Sequence, residues 1–139
     1  MKVLGIDHGK KRVGVALSDA NARLALPLEV VAGKDRHKLL VRIVELVESY
    51  RATAVVVGHP LTLQGESGPQ ARQAEEFAER LRHKLGEAVP VLLWDERMTS
   101  VQVDRARPDG SRSKPDGTRD LMAAVLILQN FLDSKSSLG

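Results

Sequence analysis

The chain has 139 residues, a formal net charge of +3, 42% hydrophobic and 28% charged residues, and no cysteine. That length fits one domain, burying roughly two thirds of the surface of its unfolded chain, while the lack of cysteine excludes disulfides, thiolate catalysis and cysteine-ligated zinc. The four histidines lack the spacing of a zinc site. No apolar run reaches the roughly 18 residues of a membrane span, and the chain opens into a strand without a signal peptide, so it is expected to be cytoplasmic with no membrane partner.

Residues 2–7 read as a continuous apolar strand ending in Asp7. His8-Gly9-Lys10-Lys11 reads as a turn, after which Arg12 to Ser18 alternates, with Val13, Val15 and Leu17 on one face and Gly14 and Ala16 on the other. The small face leaves room for a helix to pack closely. Asp19-Ala20-Asn21 turns into a third antiparallel strand, Leu24 to Val31, whose Pro27 suits an edge. From Asp35 the period is helical, with Leu39, Leu40, Ile43, Val44, Val47 and Tyr50 on one stripe. Ala54 to Gly58 is β-branched and apolar on both faces, as in an interior parallel strand. A loop with Gly65 and Gly68 leads through Pro69 into a helix carrying Ala74, Phe77, Ala78 and Leu81, closed by Gly86. Val89 to Trp94 predicts another interior strand, tipped by Asp95-Glu96, and Thr99 with Gln102 forms a capping box for a short helix. Two Pro-Asp-Gly tripeptides, at 108–110 and 115–117, mark a loop. Arg119 to Leu132 is a strongly apolar helix, and residues 134–139 are expected to fray.

This order predicts one α/β domain over residues 1–133. Its mixed five-stranded sheet combines an antiparallel three-stranded meander with two parallel strands, flanked by helices. Ligands collect at the carboxyl ends of such strands, where Asp7, His59 and Asp95-Glu96 fall. With the first strand central, beside both the Ala54 and the Val89 strands, Asp7 and Glu96 approach each other. A carboxylate buried at a core strand tip is costly without a cation against it, and adjacent carboxylates raise one pKa unless divalent ions neutralise them. Mg²⁺ and Mn²⁺ suit a shared acid pair completed by phosphate oxygens and water, and a pair of ions can drive phosphodiester hydrolysis without a serine, cysteine or histidine nucleophile.

The basic residues cluster. Lys10-Lys11-Arg12 follows Asp7, and residues 105–119 hold Arg105, Arg107, Arg112, Lys114 and Arg119 against Asp109 and Asp116. Such clusters suit a polyanionic substrate, although the second also reads as a solvated loop. Aromatic residues make up 3% of the chain, which argues against base-stacking platforms. Trp94 is expected to anchor the core beneath the site.

The stretch Gly5-Ile6-Asp7-His8-Gly9-Lys10-Lys11-Arg12-Val13-Gly14-Val15-Ala16-Leu17-Ser18-Asp19 resembles the opening signature of the YqgF family, also called RuvX. Val57-Gly58-His59-Pro60-Leu61 with Gly65, then Trp94-Asp95-Glu96-Arg97-Met98-Thr99-Ser100, then Asp120-Leu121-Met122-Ala123-Ala124-Val125-Leu126-Ile127-Leu128-Gln129 resemble its later motifs, in order and across nearly the whole chain. The resemblance implies an RNase H-like fold related to the Holliday-junction resolvase RuvC, and a nuclease that trims the 5′ end of pre-16S ribosomal RNA, with ribosomal particles as possible partners. It also implies an acidic triad of Asp7, Glu96 and Asp120 that performs catalysis and holds Mg²⁺ or Mn²⁺. Lys11, Arg12, His59, Arg97, Arg112 and Lys114 are the expected substrate contacts. Val101 to Thr118 departs from the family pattern, being arginine-bearing and broken by two turns where the family has a longer helix and a lysine-rich loop.

Plainer readings stand beside these. Asp7 is also a turn former, Asp95 competes with Glu96 for one role, and an acid such as Asp120 in a first helical turn is stabilised by the helix dipole. His59 reads equally well as a loop residue near the site. The alternative functions are a resolvase acting on branched DNA and a non-catalytic nucleic-acid- or ribosome-binding domain. An actin-like ATPase, suggested by the Asp7-x-Gly9 turn, needs two such domains.

Overall fold

In the computed structural model, residues 1–98 and 117–136 are described. In chain order they form β1 (Val3–Asp7), β2 (Arg12–Ser18), β3 (Ala25–Ala32), α1 (Arg36–Tyr50), β4 (Ala54–His59), α2 (Pro69–Leu85), β5 (Val91–Asp95), a single 3₁₀ turn (Glu96–Met98) and α3 (Thr118–Ser136). The short helix expected after Thr99 and the basic stretch 105–116, including Arg112 and Lys114, lie outside the described residues. No helix among the described residues is long and apolar enough to cross a membrane.

The strands form one sheet in the order β3-β2-β1-β4-β5. β1, β2 and β3 are an antiparallel meander, and β4 and β5 run parallel to β1. This is the mixed sheet that the sequence predicts, with one correction. β5 does not lie beside β1, because β2 and β4 occupy both edges of β1 and leave β5 the outer edge of β4. β3 is an edge strand as Pro27 predicts, and the register slips between Val15, opposite Glu29, and Ala16, opposite Pro27. An edge tolerates a residue that cannot donate to the ladder.

Strand alternation divides the interior in two. Leu4, Ile6, Val13, Val15, Val55, Val57 and Val91 face α1 and α2, whereas Val3, Ala16 and Val56 face α3. Asp35 caps α1, its side chain accepting the Lys38 N–H. Pro69 begins α2, and Gly86, with φ +73°, ends it. Ile127 and Leu128 of α3 are fully buried, each worth about 1.5–3 kcal/mol of apolar burial.

α3 comes this close because the sheet is bare beneath it. A Cβ on Gly5 would stand 2.7 Å from Leu128 Cβ, and one on Gly14 would stand 2.0 Å from the Asp120 carbonyl oxygen. The small face of β2 is thus the seat of the last helix, as its sequence implies. That helix continues to Ser136. Ser134 Oγ donates to the Phe131 carbonyl at 2.7 Å, and Lys135 Nζ stands 5.5 Å from the centre of the Phe131 ring.

Candidate active site

Asp7 ends the central strand and is 2% exposed. It pairs with Gly14 of β2, and on its other side the Ile6–Val57 register brings Gly58 of β4 alongside. Alternation turns Asp7 to the face of Val3 and Gly5, toward α3. The neighbouring strands therefore carry a bare backbone at that level. Over Gly14 passes the backbone of Asp120, in the first turn of α3. Over Gly58 lies the carboxylate of Glu96, whose Oε2 would be 2.9 Å and Cδ 3.2 Å from a Cβ there. Strands are about 4.8 Å apart, so the row Gly14-Asp7-Gly58 brings the Asp7 side chain, the Glu96 carboxylate and the backbone of Asp120 to one face.

Glu96 is 1% exposed. Two buried carboxylates on one face offer hard oxygen donors of the kind that Mg²⁺ and Mn²⁺ prefer. Gly58 provides the cradle, since any side chain there would push the Glu96 carboxylate away. Among the described residues no three histidine, aspartate or glutamate side chains already form a group that could hold a metal ion by themselves. Magnesium characteristically takes its remaining ligands from water and substrate phosphate, so the donor set fits that ion.

Basic residues border this face. Arg12, at the start of β2, places Nε 3.7 Å from Asp120 Oδ2, and its Cδ packs against Gly117, which has φ +83°. Arg12 thus already faces one acid. Lys11, beside it in the hairpin turn, is exposed.

The residues adjacent to these acids go to the opposite face. His8 packs on the Phe77 ring with centroids 4.9 Å apart; burial, aided by Arg36 and opposed by Glu76, lowers its pKa to about 4. His59 Nε2 lies 2.6 Å from Glu75 Oε2 of α2, and Ser67 Oγ donates to the same oxygen at 2.6 Å. These bonds, Ser67 first and His59 second, hold Glu75 below the usual carboxylate range. Asp95 pairs with His59 in the sheet register. Arg97 grips Asp95 with Nε 3.0 Å and Nη2 2.7 Å from Oδ2, which keeps the Asp95 carboxyl below its ordinary pKa and raises that of Arg97.

Asp95 and Glu96 are thereby separated: Glu96 lies over Gly58 on the face to which Asp7 turns, and Asp95 lies on the other. The structure also does not bring His59 and Arg97 together with the acids; each engages a carboxylate on the other face. Trp94 sits beneath Glu96 on the α3 face as expected, donating from Nε1 to Asn130 Oδ1 at 2.8 Å and meeting the Phe131 ring edge-on at 5.4 Å. Sequence reasoning missed Gly58 as the seat of a carboxylate, and it used Gly14 only for helix packing. The available signal was a glycine closing the β-branched run Val55-Val56-Val57 at a strand tip.

Comparison with known proteins accords with this architecture. The RuvC structure from Thermus thermophilus superposes with a TM-score of 0.62 at 19% identity, over 99% of this chain and 97% of that one. The fowlpox virus Holliday junction resolvase gives 0.55 at 13% identity, over 96% and 99%. These likenesses establish the RNase H-like fold. Among curated relatives, a protein of Thermoanaerobacter pseudethanolicus is 36% identical over 140 residues, 99% of both chains. One of Pelotomaculum thermopropionicum is 44% identical over 138 residues, 97% of this chain and 88% of its own. Both are provisionally named pre-16S rRNA nuclease. The sequence profile of RuvX, described as Holliday junction resolvase, matches residues 1–134: the chain belongs to the RuvX family.

Proposed function

We propose that this protein is a metal-dependent nuclease that hydrolyses phosphodiester bonds at the 5′ end of pre-16S ribosomal RNA, acting in the cytoplasm on free precursor or on ribosomal particles. The observation that supports the reading is the row Gly14-Asp7-Gly58, with the Glu96 carboxylate over Gly58 and the Asp120 backbone over Gly14. In this reading the three acids hold Mg²⁺ or Mn²⁺. A pair of such ions, when bound, supplies a nucleophile from water at neutral pH and neutralises charge on the leaving oxygen. The chain's own part is positioning. Asp7 is fixed by the central strand, Glu96 by its seat on Gly58, and Asp120 by the contact of α3 with Gly14. Lys11 holds a substrate phosphate at the hairpin, Arg12 divides its charge between Asp120 and that phosphate, and Arg112 and Lys114 contribute further phosphate contacts.

The relatives' names favour the ribosomal precursor as substrate. The test is a cleavage panel of pre-16S RNA fragments, single strands and four-way junctions, with Mg²⁺ or Mn²⁺ and with EDTA. The wild type is expected to cut the precursor only with metal, and Asp7→Asn to slow cleavage roughly 10³-fold, about 4 kcal/mol of transition-state stabilisation. The variant is expected to remain folded, read as a cooperative melting transition of the metal-free protein. Undiminished cleavage by Asp7→Asn would contradict the assignment.

A second reading, a resolvase of branched DNA, draws support from the family's description and from a RuvC of the same fold whose structure holds a Holliday junction substrate. Faster cutting of junctions than of precursor RNA would favour it. Salt-sensitive binding without cleavage, indifferent to EDTA, would favour a non-catalytic binding domain.

A further inference from the structure

Arg97 follows Glu96 directly, yet its guanidinium turns away from the acid face. Nε contacts both oxygens of Asp95 at 3.1 and 3.0 Å, Nη2 contacts Oδ2 at 2.7 Å, and the Arg97 backbone N–H donates to Oδ1 at 2.9 Å. Nη1 reaches the Leu63 carbonyl at 3.4 Å. Beneath the same group lies Gly65, with φ +83°, where a Cβ would stand 3.1 Å from Nη1. That loop is closed on itself: the Thr62 N–H donates to the Glu66 carbonyl at 2.9 Å, Gly65 to the Thr62 carbonyl at 2.8 Å, and Glu66 to Thr62 Oγ1 at 3.0 Å.

One side chain therefore ties the tip of β5 to the loop that leaves β4. Between these points runs the single 3₁₀ turn that carries Glu96, whose carboxylate must lie across β4 at Gly58 to approach Asp7. β5 is an edge strand of five residues, a weak hold for an acid that must be placed within a fraction of an ångström. The forked arginine–carboxylate contact supplies directional rigidity that a lysine could not.

We propose that Arg97 is a positioning residue: braced on Asp95 and on the 62–66 loop, it fixes the turn that seats the Glu96 carboxylate over Gly58. The proposal deepens the nuclease reading and rests on Glu96 being one of the metal-binding acids. It replaces the expectation that Arg97 contacts a substrate phosphate.

The experiment measures two quantities in Arg97→Gln, Arg97→Lys, Asp95→Asn and the Arg97→Gln/Asp95→Asn double variant: affinity for Mn²⁺ alone, and the salt dependence of binding to single-stranded RNA in EDTA. A brace predicts that Arg97→Gln and Asp95→Asn each weaken Mn²⁺ roughly tenfold. The double variant should be no worse than either single change, since both break one interaction. Lysine should restore little, and the RNA salt slope should stay unchanged. Amide exchange at Gly65 and Arg97 should quicken in each folded variant, and cleavage should lose kcat with KM preserved.

A phosphate contact predicts the reverse, Mn²⁺ affinity unchanged and a salt slope smaller by about one; either result overturns the proposal. The Asp95→Asn variant keeps the side-chain shape and serves if Arg97→Gln fails to fold. A wild type that binds no Mn²⁺ overturns the acid-site reading itself. A wild type that binds it, with variants that match it, overturns only the brace.

Discussion

At the carboxyl end of the sheet, neighbouring residues are sent to opposite faces with different outcomes. Asp7 and His8, Gly58 and His59, Glu96 and Asp95 each split this way. Toward α1 and α2, His59, Ser67 and Glu75 form one group, and Asp95 with Arg97 another, so charge there is answered by nearby side chains. Toward α3, carboxylates 1–2% exposed lie beside positions without side chains. The first arrangement holds backbone in place. The second sets buried carboxylates beside a small bare patch, which leaves room on that face for a further ligand.

Crowding the bare patch is the most severe way to break this contrast. Gly14→Ala forces a Cβ onto the Asp120 carbonyl, a backbone atom that moves only with α3. It should cost about 3 kcal/mol, the upper range of overpacking, read as a lower urea midpoint; a loss below about 1 kcal/mol would mean that α3 shifts freely. Gly58→Ala should separate stability from function. Its Cβ meets the flexible end of Ile127 and the Glu96 carboxylate, so unfolding should change by about 1 kcal/mol. Mn²⁺ affinity should fall about tenfold or more, because the seat of one acid is filled.

The charged rim can be probed next. Lys11→Ala should weaken RNA binding similarly for all sequences and lower the salt slope by about one, measured by fluorescence anisotropy across salt concentrations. An unchanged slope would remove Lys11 from the phosphate track.

The smallest effect concerns the paired face. Arg42 grips Glu29 through Nε to Oε2 at 2.8 Å and Nη2 to Oε1 at 2.7 Å, and these bonds hold the Glu29 pKa below its ordinary 4.5. A carboxyl whose folded pKa is depressed stabilises the fold above its unfolded pKa and loses that contribution as pH falls through the folded value. Arg42→Gln should therefore melt slightly earlier than wild type at about pH 6, with the gap closing as pH drops below about 4.5. A gap that persists or widens in acid would contradict the pairing.

Much of this contrast was legible in the sequence, but not its handedness. Period-2 alternation in Arg12–Ser18 gave both the hairpin and the seat for a helix, and the 3.6-residue stripe of Leu39 to Val47 gave α1. Acids at strand tips pointed to the ligand end. What could not be read was which face each tip residue takes in β4 and β5. Both faces of Val55-Val56-Val57 are apolar, so nothing in the pattern distinguishes the parity of Gly58 from that of His59. For the same reason Asp95 and Glu96 stayed in competition, and His59 and Arg97 were expected beside the acids. The position of β5 was hidden too, since crossover order alone does not say which edge of the growing sheet is free. Asp120 entered through family resemblance, because a first-turn acid is ordinary by physical criteria.

The division between faces is tested most directly by single-turnover cleavage of the pre-16S RNA precursor in Mg²⁺, comparing Glu96→Gln with Asp95→Asn. If Glu96 acts with Asp7 while Asp95 only braces Arg97, Glu96→Gln should lose roughly 10³-fold in rate and Asp95→Asn about tenfold. An Asp95→Asn loss as large as that of Glu96→Gln, or larger, would contradict it.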